Sequence, residues 1–148
     1  MSRTPRKRAD QVGIKFDAIK LMCLLARLEP HLPREYKYTI GRLLLDWSAL
    51  LVYRIDRMLM LHDKGTALEE VAATVRTIEV EMLNLVALHA MPKVSPVTES
   101  EVSMLCVNIE EQARAMWRSN RDKMKSKSSH GNNPGDAIPP RQGAAPAR

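Results

Sequence analysis

The chain reads as all-α, an antiparallel up-down-up-down four-helix bundle, and three observations point there. Apolar residues recur at spacings of three and four in four separate segments, the pattern of helices that bury one face. Phenylalanine occurs once and aromatic residues make up 4% of the sequence, while Leu, Met and Ala recur between charges, a composition that favours helix packing over a β-sandwich or barrel. A length of 148 residues is that of a single domain.

In the first segment Ile14, Ala18, Leu21, Leu25 and Leu28 form a heptad stripe that follows an Asp10 N-cap and stops before Pro30. The second helix opens at Pro33, whose missing N–H is no loss at a first helical position. It runs to about His62, where Asp63, Lys64 and Gly65 supply a stop. The third opens on a capping box, Thr66-x-x-Glu69, and carries Leu68, Val71, Val75, Ile78, Met82 and Leu85, with His89 next in register. The fourth opens on a second box, Thr98-x-x-Glu101, and carries Val102, Leu105, Ile109, Ala113 and Met116, then Trp117. Short connections around Pro30 and Gly65, and a longer one around Pro92 and Pro96, predict antiparallel neighbours.

The second helix is apolar around most of its circumference. A strip holding Glu35, Arg42, Asp46, Tyr53, Asp56 and Arg57 is polar, and most of the remainder is apolar. One bundle buries about one stripe per helix, so the surplus predicts burial between subunits. Leu44, Leu51, Ile55 and Met58 are the expected interface residues.

Outside residues 10–125 the composition changes. Residues 1–9 read as a basic flexible arm with Arg3, Arg6, Lys7 and Arg8. Residues 126–148 hold four of the nine prolines and three of the six glycines, and read as a disordered tail. The net charge of +6 resides in these ends, because residues 9–125 hold sixteen basic and sixteen acidic side chains. Within that interval Glu69, Glu70, Glu79 and Glu81 make the third helix acidic. The end of the fourth is basic through Arg114, Arg118, Arg121, Lys123 and Lys125.

No Glu-x-x-His pair, phosphate loop or nucleophile elbow is present, so neither a metal, a cofactor nor a catalytic residue is expected. Cys23 and Cys106 read as buried, reduced thiols suited to a cytoplasmic location, and no apolar run is long enough for a membrane span. One enzyme-like spacing remains. Arg57-x-x-x-x-His62 resembles the Arg-x4-His element of HEPN ribonucleases, in which the histidine would serve as general acid or base and the arginine would hold the phosphate. Met58 stands where those proteins usually carry a polar residue, and a salt-bridged Arg57 with a helix-end His62 is the simpler reading. The stronger candidate is the basic row: Arg114, Arg118, Arg121 and Lys125 are spaced by four, three and four on one helical face, so they can neutralise successive phosphates without reading sequence.

From Leu32 to Arg57 the sequence reads LPREYKYTIGRLLLDWSALLVYRIDR, and from Leu105 to Arg118 it reads LCVNIEEQARAMWR. These segments resemble the four-helix-bundle family that includes the accessory variability determinant (Avd) of diversity-generating retroelements and the proteins encoded in intervening sequences of large-subunit ribosomal RNA genes. The resemblance covers about residues 16–123. On the retroelement branch it implies a non-catalytic homopentameric barrel that binds a reverse transcriptase and its template RNA during mutagenic copying. The ribosomal-intervening-sequence branch, whose role is unknown, is the alternative. Pro33, Tyr38 and Gly41 match the family's short motif, with helix initiation, packing and close helix approach as their physical roles. Retroelement members often carry basic residues along the third helix, where this chain has Glu79, Val80, Glu81 and Asn84 and only Arg76 as a cation. Nucleic-acid contact is therefore expected at the fourth helix and the arm.

Overall fold

The computed structural model describes the backbone of residues 5–131 and the side chains of residues 13–126. Every regular element among them is helical. Helix α1 spans Pro5–Leu28, a short turn α2 spans Arg34–Tyr36, and the long helices α3, α4 and α5 span Arg42–Met60, Gly65–Ala87 and Glu99–Gly131. Among the described residues no helix is long and apolar enough to cross a membrane.

Each long helix packs on the next, and α5 closes the ring against α1. The stripes read from the sequence line the interior: Ile14, Leu21 and Leu25 of α1, Leu68, Val75 and Ile78 of α4, and Val102 and Ile109 of α5 are buried together. Polar links cross each of the four helix contacts. Lys15 pairs with Asp56 at 2.9 Å, and Arg76 pairs with Glu110 at 3.4 Å. Arg54 Nη1 donates to Thr74 Oγ1 at 2.6 Å, and Gln112 Nε2 donates to Asp17 Oδ2 at 2.7 Å. Partly exposed pairs of this kind contribute little each, so the apolar interior supplies most of the stability while these links favour one helix order.

Several boundaries differ from expectation. Helix α1 begins at Pro5, so it takes in residues 5–9 and Asp10 lies inside it rather than at its N-cap. Pro30 converts the chain after Leu28 into a 3-10 turn, Glu29–His31, because proline disfavours a helical predecessor. Helix two runs unbroken from residue 34 to residue 60 but changes its winding on the way. A π turn at Lys37–Gly41 separates α2 from α3. Within this turn lies Gly41, where a Cβ would stand 2.9 Å from Leu32 Cδ1 and 3.2 Å from Glu29 Cγ. The close approach expected of this glycine is present, and the wider turn accommodates it. Tyr38, expected to pack, is exposed, whereas Tyr36 lies against the core.

The box at Thr66 does not form, since α4 already begins at Gly65 and Thr66 lies inside its first turn. The box at Thr98 does: Thr98 N donates to Glu101 Oε1 at 2.9 Å and Glu101 N donates back to Thr98 Oγ1 at 3.2 Å. His89 leaves the stripe. With a φ of 54° it reverses the chain after α4, while His89 N donates to Val86 O and Ala90 N to Leu85 O, a Schellman ending sealed by buried Ala90 and Leu85. Helix α5 continues to Gly131, five residues past Ser126. Residues 132–148, together with Arg3 and the side chains of Arg6, Lys7 and Arg8, lie outside the described residues.

Candidate nucleic-acid interface

Helix α5 presents Arg114, Arg118, Arg121 and Lys125 as one exposed row along its last described turns. The row follows from the buried positions. At about 100° per residue, burying Ile109, Ala113 and Asn120 turns positions 114, 118, 121 and 125 outward together. Lys123 is exposed too, but two residues from Arg121 place it on the other flank of the helix. The five cations expected at this site are thus all accessible, and four of them share a face.

Two features fix this end of the helix. The half-buried Trp117 ring lies beneath the Arg121 guanidinium, 5.0 Å from ring centroid to Cζ, and Asp122 stands 3.7 Å from the same guanidinium. Asn120, 7% exposed, clamps the α3–α4 connection: its Oδ1 accepts from Lys64 N and its Nδ2 donates to His62 O, both at 3.0 Å. Lys64 in turn reaches back to the C-terminus of α3, donating from Nζ to the carbonyls of Met58, Leu59 and Leu61. An ammonium group among the last carbonyls complements the helix dipole. Sequence reading placed Lys64 in the stop after the second helix and attributed no role to Asn120, whose partners lie 56 and 58 residues away. The Trp117–Arg121 stack was visible as an i, i+4 pair.

Toward the middle of α5 the electrostatics reverse. Glu79 on α4 faces Glu110 on α5, and partial burial, repulsion by Glu110 and a shared side-chain hydrogen bond raise its pKa above the ordinary 4.5, with Arg76 opposing the rise. Beneath them lies Cys106, whose thiol burial, with Glu79 and Glu110 nearby, pushes up to about 12. A thiol held that high is protonated at neutral pH and a poor nucleophile. Cys23, expected to be buried, is exposed on α1, because its position falls on the flank facing a groove beside α5. Both cysteines are free.

The other candidates fare differently. Arg57 lies on α3, but that helix ends at Met60 and the chain turns extended at Leu61, so one helical face does not carry both Arg57 and His62. Among the described residues no group of three or more His, Cys, Asp or Glu side chains is arranged to hold a metal ion. Leu44, Leu51, Ile55 and Met58, expected between subunits, are buried inside this one, at 2% exposure or less. They are the stripe α3 gives to its own core. The helix's apolar surplus is met largely by Leu45, Trp47, Val52 and Leu59, half-buried against that core, while Leu43, Tyr53, Met60 and Leu61 are exposed.

Fold and site together define an all-helical bundle with a cationic strip along its last helix. Compared with family models, curated proteins and solved structures, the chain matches none.

Proposed function

We propose that this protein is a non-catalytic adaptor that binds nucleic acid through Arg114, Arg118, Arg121 and Lys125, acting beside a reverse transcriptase on its template RNA in a diversity-generating retroelement. The observation that supports the reading is the exposed four-residue cationic row on one face of α5. Its spacing matches a backbone contacted at successive phosphates. The basic residues near the N-terminus add to it. Asp17 meets Gln112, while Cys23 and Arg27 share a groove with Ser100 and Met104, contacts that support an antiparallel pairing of α1 with α5. An up-down-up-down order of the four long helices is part of this proposal. The retroelement and polymerase partnership rests on the resemblance of residues 32–57 and 105–118, as does assembly into a cytoplasmic homopentamer. Repetition around such a ring would multiply a weak contact.

Titration of labelled RNA between 50 and 200 mM salt tests the contact. Arg118→Ala combined with Arg121→Ala should weaken binding and reduce the logarithmic salt slope by about 0.7 for each single-strand phosphate left without its cation. Unchanged affinity and slope would exclude α5 as the contact surface.

A further inference from the structure

Beside the basic row a cleft of about 150 Å³ opens between α4 and α5. Its walls include Ala72 and Arg76 of α4 with Glu110, Ala113, Arg114 and Trp117 of α5. We infer that this cleft receives one unpaired base of a bound strand, so that the protein selects single-stranded over duplex nucleic acid. The inference rests on the nucleic-acid reading above and names the form of its substrate.

Three features carry it. The first is size: an engineered cavity of comparable volume in another protein takes up benzene, so this one admits a ring-sized group, and its small floor residues Ala72 and Ala113 leave that space open. The second is chemistry. An indole and two arginines line the cleft, and aromatic faces and guanidinium planes are the surfaces on which splayed bases stack. The Glu110 carboxylate can accept from an exocyclic amino group, whereas it would repel a phosphate. A base is therefore the part of the strand that fits inside. The third is position. Arg114 belongs both to the cleft and to the cationic row, so a backbone held by Arg114 and Arg118 runs along the cleft mouth. In a duplex each base is stacked and paired and cannot turn in without breaking those contacts.

Ala72→Leu fills the cleft and leaves every cation in place, and leucine is nearly as favourable in a helix as alanine. The probes are a short unstructured RNA strand, the same strand annealed to its complement, and the same strand with abasic sites. Wild-type protein should bind the base-bearing strand more tightly than either other probe. Ala72→Leu should weaken single-strand binding about fivefold, corresponding to the loss of one base stack, with its salt slope and its duplex affinity unchanged. In the wild type, tryptophan emission should be quenched by the base-bearing strand and not by the abasic one, a measurement that holds whether or not the variant folds. If Ala72→Leu binds both forms as the wild type does, or both strands quench equally, the cleft is not a base site. Should the Arg118/Arg121 double variant still weaken both forms, the nucleic-acid reading would survive that failure. Absence of any binding by the wild type at 50 mM salt would overturn both.

Discussion

Glu79 shows how one side chain can set a pH dependence. Its pKa lies above 4.5, so between 4.5 and the raised value the folded protein keeps a proton that the unfolded chain has released. Stability contributed by the neutral carboxyl is complete below that window and is lost as pH rises through it. Because the group is only partly buried, solvent screens most of the effect. Glu79→Gln should therefore stabilise the bundle at neutral pH by only a few tenths of a kcal/mol, with the gain disappearing below pH 4.5 in urea melts. The two thiols differ more sharply. Cys23 is exposed, while Cys106 is buried with its pKa near 12. A thiol reagent should modify one cysteine per chain under native conditions and both after denaturation. Asn120 is a third case: Asn120→Ala removes both of its 3.0 Å hydrogen bonds to the α3–α4 connection, and should cost about 1–3 kcal/mol by denaturant titration.

At the scale of elements, the segment from Leu32 to Gly41 is where local pattern and packing disagree. The sequence reads as one helix from Pro33 onward, and propensity alone would favour alanine over glycine at position 41 by about 1 kcal/mol. Contact decides otherwise. A methyl group at 2.9 Å from Leu32 Cδ1 must displace a buried side chain, and overpacking of that kind costs about 1–3 kcal/mol. Gly41→Ala should thus be destabilising on balance, by about 1 kcal/mol, and pairing it with Leu32→Ala should remove the penalty specific to the glycine site in a double-mutant cycle. The two capping boxes differ for a related reason. Thr98 closes its box because the chain before it turns sharply, with Ser95 Oγ donating to Val97 O. Thr66 cannot, since Asp63 and Asn120 already accept from the amides of Gly65 and Lys64 and start the helix a residue earlier.

For the molecule as a whole, charge and apolar surface are distributed unevenly, and each distribution predicts a behaviour. The domain between residues 9 and 125 has no net charge, so affinity for nucleic acid must come from clustering along α5. Assembly must use residues that the core leaves free. Leu51 is fully buried in the subunit, and Leu51→Glu would place an unpaired carboxylate in the core and unfold it. Met60, 81% exposed on the same helix, is the discriminating position. If α3 forms the oligomer contact, sedimentation equilibrium of the wild type should give a mass several times 16.7 kDa, and Met60→Glu should lower it while circular dichroism stays helical. A wild-type monomer at micromolar concentration would refute assembly itself.

Periodicity was enough to read the all-helical class, three of the four buried stripes and the outward cationic row, because a helix of 3.6 residues per turn ties spacing directly to face. Leu21, Ile78 and Ile109 are buried for the same reason that Arg114 and Arg118 are not. On α3 the same pattern was ambiguous. A helix apolar over most of its surface has more than one face that could point inward, and only packing against α1 and α4 selected Leu44, Leu51, Ile55 and Met58 for the subunit's own core. Tertiary structure alone also supplied the π turn at Gly41, the Asn120 clamp, the Glu79–Glu110 pair and the α4–α5 cleft. Each joins residues far apart in the chain or depends on how near two backbones come. Neither quantity is written in local spacing; both are set when the helices meet.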